Sequence, residues 1–257
     1  MAELTLFSLL FLVSMSFVAG LVDAAVGGGG LIQTPALFSA LPNHTPATIF
    51  GTNKLSSIFG TATAAFRYAR TVRIHWPVAL PAALAALVAS FIGARLVAWL
   101  PVQYVKPMVL VLLVLIALYT MKKKNLGDVH APLRSGRAER WLAILTGTVI
   151  GFYDGFFGPG TGSFLTFAFV RFFGFDFLRA AATTKVVNGA TNLAALAYFI
   201  PTGNVLYAAA IPMAIANILG AQLGAHVAMK GGTQFVRKLF LVLCWVLIAK
   251  FAYDMLR

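Results

Sequence analysis

Long stretches of apolar sequence are the feature that most limits what this chain can fold into. The windows 4–22 and 76–93 contain no charged residue, and the window 102–120 contains one. A helix needs about 20 apolar residues to cross the hydrocarbon core of a bilayer, and each window comes close to that length. The apolar residues run continuously and do not alternate with polar ones, which favours helices over strands. We therefore predict an all-α, polytopic helical membrane protein with the lipid bilayer as its surroundings.

The composition excludes a soluble globule. Of the 257 residues, 60% are hydrophobic and 11% are charged, whereas about a quarter of the residues in soluble domains are charged. The net charge of +13 resides in short loops between apolar segments, where it indicates the cytoplasmic face and not a nucleic-acid partner. The single cysteine, Cys244, permits no intrachain disulfide and fits no metal-ligand spacing, so we expect no metal and no cofactor.

A glycine-rich motif occurs twice, 131 residues apart. The sequence GLVDAAVGGGG at 20–30 returns at 151–161 as GFYDGFFGPGT. The same offset aligns Lys54 with Lys185 and Pro81 with Pro212. Scarce residues of this kind rarely align by chance in two apolar sequences. We therefore predict two homologous membrane repeats, which span 1–121 and 141–257 and are joined by a basic linker over 122–140.

Each predicted repeat contains five apolar segments. They lie at about 4–23, 30–41, 46–66, 76–97 and 103–121 in the first repeat, and at about 141–154, 162–173, 182–200, 205–225 and 236–254 in the second. The second segment of each repeat is too short to span comfortably and follows the glycine motif. Segments one and two are therefore predicted to form a helical hairpin broken at the glycines, either re-entrant or as two short crossings.

The basic loops indicate how the two repeats are oriented. In the first repeat Arg67, Arg70 and Arg73 follow the third segment, whereas in the second repeat Arg171 and Arg179 follow the second segment. If each repeat crosses the membrane an odd number of times, all these loops fall on one side. The positive-inside rule assigns that side to the cytoplasm. We therefore predict inverted repeats, a cytoplasmic linker and both termini outside.

Four ionisable residues lie within apolar segments and are candidates for function: Asp23, Lys54, Asp154 and Lys185. Such residues cost free energy in a membrane and commonly mark a substrate or ion site. In a functional interpretation the lysines bind an anion, and the aspartates balance their charge or carry a coupled proton. In a structural interpretation Asp23 pairs with Lys54 and Asp154 with Lys185, which holds segment one against segment three in each repeat. Snorkelling to the membrane interface is a further structural alternative.

The glycine clusters and nearby amides complete the candidate site. Each cluster precedes a short helix whose N-terminus presents free N–H groups and a partial positive charge to an anion, although close helix packing is an alternative role for the glycines. Lys185, Asn188 and Asn192 are spaced to share one helix face; the alternative role of such amides is interhelical hydrogen bonding. The predicted substrate-binding residues are Gly27, Gly28, Gly29, Gly30, Asn53, Lys54, Gly158, Gly160, Thr161, Gly162, Lys185, Asn188 and Asn192.

These motifs resemble the sulfite exporter TauE/SafE family. The resemblance rests on the two glycine motifs, on TNKL at 52–55 and on the run TKVVNGATN at 184–192, and it covers essentially the whole chain. The chain is similar in particular to an enterobacterial branch of the family. The resemblance implies a multi-pass permease of the bacterial inner membrane that moves small sulfur oxyanions, such as sulfite or organosulfonates, without ATP.

We therefore predict a secondary transporter for a small anionic substrate, with proton coupling as an option. No phosphate loop or nucleophile elbow is present in the sequence, so we do not expect an enzyme. A passive anion channel is one alternative, and a membrane-embedded enzyme or scaffold is another. The oligomeric state is left open, with a homo-oligomer among the alternatives.

Overall fold

The part of the chain that the structure describes is helical, without strands. The structure is a computed structural model that describes residues 5–97, 114–115, 118, 121, 127, 130–133 and 135–256. Most of the predicted segment 103–121, and residues 122–126, 128–129 and 134 of the predicted linker, lie outside these residues. The helices are α1 (Leu6–Val26), α2 (Gly29–Ala40), α3 (Pro46–Thr71), α4 (Trp76–Arg95), α5 (Gly136–Phe156), α6 (Thr161–Phe173), α7 (Phe177–Phe199) and α8 (Tyr207–Leu256).

The helices follow the predicted apolar segments, but α3 ends five residues later than predicted, α5 and α7 each begin five residues earlier, and the last two segments are continuous. Helix α5 begins at Gly136, five residues earlier than predicted, because charged residues can form the polar first turn of an otherwise apolar helix. Glu139 in that turn favours the helix N-terminus and lies 3.3 Å from His75 Nε2. The predicted segments 205–225 and 236–254 follow each other as two helical stretches that meet at Gly232, where a φ of 68° is not helical; together they are named α8.

Among the described residues, three helical stretches are long and apolar enough to cross a membrane: Leu6–Val26, Trp76–Arg95 and Tyr207–Val242. Their outward faces carry exposed large apolar side chains, which a bilayer accommodates and water does not. Examples are Phe7, Leu10, Leu80, Leu84, Val88, Ile211, Ile215 and Leu219. A polytopic, all-α membrane protein is therefore confirmed as the fold class.

The polar helices α3 and α7 contact each other in the interior of the bundle. Helix α1 packs mainly on α8, and α4 packs mainly on α5, while α3 also packs on α8 and α7 on α4. Under the 131-residue offset, the contact of α1 with α8 becomes that of α5 with α4, and the contact of α3 with α8 becomes that of α7 with α4. Gly20 of α1 meets Asn217 of α8, and the equivalent Gly151 of α5 meets Ala86 of α4. Two repeats related by a pseudo-twofold axis would produce this arrangement; the repeats themselves stay a prediction.

Both glycine motifs break the chain between two helices, as predicted. Gly27 separates α1 from α2 with a φ of 73°, and Gly160 precedes α6 with a φ of 89°, a region that glycine adopts without steric cost. The two breaks meet in space. The hydroxyl of Ser163 donates to the carbonyl of Gly27, and a Cβ at Gly162 would lie 2.7 Å from Gly27 Cα. The short helices α2 and α6 therefore begin side by side.

Candidate functional site

A polar cavity lies where the two broken hairpins meet. It is lined by every predicted site residue except Gly27 and Lys185, and also by Gln33, Ser57, Thr61 and Asn217. The free volume of the cavity is about 30 Å³. Because one water needs at least about 10–15 Å³, the cavity accepts only a ligand of a few heavy atoms in this conformation.

The lysines and aspartates pair between the two predicted repeats and not within them. Lys54 Nζ lies 2.6 Å from Asp154 Oδ2, and Lys185 Nζ lies 2.8 Å from Asp23 Oδ2. The predicted pairs, Asp23 with Lys54 and Asp154 with Lys185, are therefore wrong. The reason is that α3 and α7 contact each other in the interior, so that each lysine reaches the glycine break of the opposite repeat. The sequence alone does not show which break each lysine faces.

Lys185 lies behind the cavity wall. Its side chain is 0% exposed, and its ammonium donates both to the carboxylate and to the backbone carbonyl of Asp23. Lys185, Asn188 and Asn192 were predicted to line the site together. Only the two asparagines line the cavity, whereas the side chain of Lys185 is bound to Asp23 and does not.

The glycine amides are used differently in the two repeats. The amides of Gly28 and Gly29 donate to Asp23 Oδ1 at 3.2 and 3.4 Å, so the start of α2 is already capped by a carboxylate. They are not available to a ligand in this conformation, contrary to the expectation for these two residues. Gly30 and Gly162, at the second position of their helices, have amides that no bond within the helix satisfies. Gly162 also serves the close packing described above.

Two asparagines carry buried polar atoms without a hydrogen-bond partner. These atoms are Asn53 Oδ1 and Asn192 Nδ2, and both residues line the cavity. Asn192 is only 2% exposed. A buried polar atom without a partner costs free energy, so these atoms indicate a position that a polar ligand satisfies.

A polar network on the side of the first repeat was missed by the sequence analysis. Gln33 Nε2 donates to Ser56 Oγ at 2.7 Å and to Ser16 Oγ at 3.2 Å, and Asn217 Nδ2 donates to the carbonyl of Ser16 at 3.0 Å. The 131-residue offset places Phe164 opposite Gln33 and Ala86 opposite Asn217. Because Gln33 and Asn217 are not repeated, a search for duplicated motifs does not find them. The presence of two amide side chains in apolar segments was the sequence feature that could have indicated this network.

A second group of titratable side chains lies where α3 ends and α7 begins. Arg73, His130, Asp176 and Arg179 line one surface pocket there. Burial lowers the pKa of His130, and the nearby Arg179 lowers it further. Arg73 and Arg179, predicted to share one side of the membrane, thus lie at one end of the bundle. Within the described ranges no group of three or more His, Cys, Asp or Glu side chains is arranged to hold a metal ion.

A helical bundle with an apolar exterior and a small polar cavity between two broken hairpins has the architecture of a membrane transporter. Comparison with known proteins assigns the family. The model of the sulfite exporter TauE/SafE family matches residues 12–251, and the chain belongs to this family of membrane transporters.

Curated relatives agree with this assignment over nearly the full length. The chain is 37% identical over 256 residues to a "probable membrane transporter protein" ORF9 of Sinorhizobium sp, with 99% of the chain and 96% of the relative covered. It is 35% identical to a protein of the same description from Haemophilus influenzae, with coverage of 96% and 95%. It is 32% identical to YfcA of Escherichia coli K12, also called a probable membrane transporter protein, with coverage of 97% and 90%. No solved structure matches the chain.

Proposed function

We propose that this transporter is a secondary permease for small sulfur oxyanions, either sulfite or an organosulfonate. The observation that carries the proposal is the cavity itself. It combines the ammonium of Lys54 with the buried, unpartnered amide nitrogen of Asn192, and it has room for only a few heavy atoms. Cationic and amide donors of this kind suit an oxyanion.

The choice of sulfur oxyanions comes from the family description, which names sulfite export. The names of the relatives state only that they are probable membrane transporter proteins. The direction of transport is not part of the proposal. The proposed setting is the bacterial inner membrane, with the linker in the cytoplasm and both termini outside.

Ligand-dependent stabilisation of the purified protein tests the proposal. Thermal unfolding is followed with sulfite, sulfate, thiosulfate, sulfoacetate, taurine and simple carboxylates, each as the sodium salt, and with sodium chloride as the control. A ligand at 100 times its dissociation constant adds about 2.7 kcal/mol to the free energy of unfolding. We expect at least one sulfur oxyanion to raise the midpoint temperature above the chloride control.

Flux in proteoliposomes then separates a permease from its alternatives. A secondary permease exchanges labelled for unlabelled anion across the membrane, and this exchange saturates with concentration. A passive channel gives a flux that responds neither to unlabelled anion on the opposite side nor to the proton gradient. No stabilisation by any anion of the panel together with no flux would contradict the proposal and favour a scaffold.

A further inference from the structure

The two Lys–Asp pairs are equivalent by the 131-residue offset, but their surroundings differ. Both carboxylate oxygens of Asp23 are occupied: Oδ2 by Lys185, and Oδ1 by the amides of Gly28 and Gly29. Lys185 also donates to the carbonyl of Asp23. The Lys185–Asp23 pair is therefore hydrogen-bonded to the backbone at the first glycine break and stabilises the conformation of that break.

The pair of Lys54 with Asp154 is not tied to the backbone in this way. Its contact is the 2.6 Å bond between Lys54 Nζ and Asp154 Oδ2. At the second break the amide of Gly158 donates to the carbonyl of Tyr153 at 3.2 Å and not to the carboxylate of Asp154. Both charged side chains line the cavity, and Asp154 is 2% exposed.

We propose that the Lys54–Asp154 pair couples anion transport to a proton, while the Lys185–Asp23 pair only positions the first break. The proposal rests on the oxyanion permease function proposed above. Lys54 leaves Asp154 to bind the oxyanion, and the carboxylate of Asp154 then takes up a proton from water on the open side of the cavity. When the anion leaves on the other side, Asp154 releases the proton and Lys54 returns to it.

Charge balance in the cavity favours such an exchange, in which one proton compensates one negative charge of the oxyanion. The two pairs sum to zero charge, so an oxyanion adds negative charge to a site away from bulk water, which costs free energy. Of the described residues that line the cavity, Lys54 is the one cation, and its transfer to the ligand leaves Asp154 unpaired. An unpaired buried carboxylate favours its protonated form.

The other titratable groups around Asp154 do not replace Lys54. Asp23 faces the same cavity from α1 and is neutralised by Lys185. The phenol of Tyr153, next to Asp154 on α5, donates to the carbonyl of Pro159 at 2.6 Å, and the phenol of Tyr68 donates to the carbonyl of Ala24 at 2.9 Å. The remaining polar side chains that line the cavity are neutral amides and hydroxyls.

Matched double variants test which pair binds the anion. In K54M/D154N and K185M/D23N each ion pair becomes neutral, so neither variant leaves a buried charge without its partner. Binding of sulfite, thiosulfate and sulfoacetate is measured by thermal shift and titration calorimetry. We expect K54M/D154N to bind every effective probe at least about tenfold more weakly than the wild type, because a charge-assisted hydrogen bond is lost. We expect K185M/D23N to unfold at a lower temperature and still to bind.

Variants of the two pairs test the proton step, with thiosulfate and sulfoacetate as probes because both stay ionised near neutral pH. In Asp154→Asn, Lys54 is free of its carboxylate at every pH. An imposed pH gradient should then no longer drive accumulation, whatever exchange activity the variant keeps. In K185M/D23N, which leaves no buried charge without its partner, gradient-driven accumulation should persist. Each variant is compared with its own exchange rate at equal pH, so that a loss of folded protein is not read as a loss of coupling.

The outcomes separate this inference from the proposed function. If the wild type binds and exchanges a probe but shows no gradient-driven accumulation, the coupling is refuted and the permease function stands. The division of roles is refuted if K54M/D154N binds as the wild type does, or if Asp154→Asn and K185M/D23N respond equally to the gradient. If the wild type neither binds nor exchanges any probe, both proposals fall.

Discussion

At the scale of single residues, Asn192 is the side chain whose surroundings most favour the proposed ligand site. Its amide nitrogen is buried without a partner, a feature that destabilises the empty protein and has no structural benefit. Asn217 differs, because its amide nitrogen donates to Ser16. The two asparagines line the same cavity and therefore form a matched pair for substitution.

We predict opposite effects on stability for leucine at these two positions. Asn192→Leu should raise the free energy of unfolding by about 1–3 kcal/mol, since a polar group that lacks a partner is removed. It should also weaken binding of the most stabilising oxyanion by about tenfold. Asn217→Leu should lower stability, because its partners lose a donor. Thermal unfolding with and without sulfite measures both quantities; a less stable Asn192→Leu protein would contradict the assignment.

His130 gives a prediction for pH. Burial holds its pKa below the value of about 6.5 for an unperturbed histidine. The unfolded chain therefore binds a proton more readily than the folded one, and this contribution to stability is lost as pH falls through about 6.5. Unfolding temperatures should fall less steeply on acidification in His130→Gln than in the wild type. The exposed His226→Gln is the control, and an equal slope in His130→Gln and the wild type would refute the effect.

At the scale of helices, the order of α1 to α8 and their bounds to within about five residues could be predicted from the sequence. Apolar length gives the spanning helices directly, and the repeated glycines give the two breaks. Which helices pack together is not local information, so the pairing of Lys54 with Asp154 could not be predicted. The start of α5 at Gly136 was missed for a different reason: its first turn is charged and looks like linker.

The glycines of the two breaks divide into packing and cavity positions, which leads to a prediction. A Cβ at Gly30 would lie 3.4 Å from Pro159 Cα, an ordinary contact, and 3.8 Å from the carbonyl oxygen of Gly158, which lines the cavity as Gly30 does. Gly30→Ala should therefore fold and lose most oxyanion binding, because the cavity holds only a few heavy atoms. Gly162→Ala should lose stability, since its Cβ would lie 2.7 Å from Gly27 Cα. Binding of sulfite by Gly30→Ala at wild-type affinity would return this glycine to a packing role.

At the scale of the whole molecule, the ion pairs join the two predicted repeats. Lys185→Met leaves Asp23 as an uncompensated buried charge and should lower the free energy of unfolding by about 3–5 kcal/mol. Adding Asp23→Asn should restore much of this loss, whereas adding Asp154→Asn should not, because it strands Lys54 as well. Thermal unfolding of the two double variants measures the difference; rescue by Asp154→Asn and not by Asp23→Asn would contradict the observed pairing.

The arrangement of the loops supports the predicted inverted repeats. Thr52 near the start of α3 accepts a hydrogen bond from the amide of Leu206, 2.9 Å away, just before α8. This places the loops that lack basic residues, 41–45 and 200–206, at one end, whereas Arg73 and Arg179 lie together elsewhere. The division into repeats at 121 and 141, and the cytoplasmic side of the linker, stay predictions.

Cysteine labelling in intact cells tests the orientation. In a background with Cys244→Ala, we expect Asn43→Cys and Gly203→Cys to react with an impermeant maleimide from outside. Arg73→Cys and Arg179→Cys should react only after the membrane is opened. Labelling of the Arg73 and Arg179 positions from opposite sides would rule out inverted repeats.

The central claim is that one small oxyanion is held between the two broken hairpins by residues from both. Selenite and selenate replace sulfite and sulfate closely and scatter X-rays anomalously, so a structure of the wild-type protein with either anion locates the ligand directly. We predict one anomalous peak in the cavity, with anion oxygens within hydrogen-bond distance of Lys54 Nζ and Asn192 Nδ2. A peak elsewhere, or an empty cavity in protein that selenite or selenate measurably stabilises, would contradict the account.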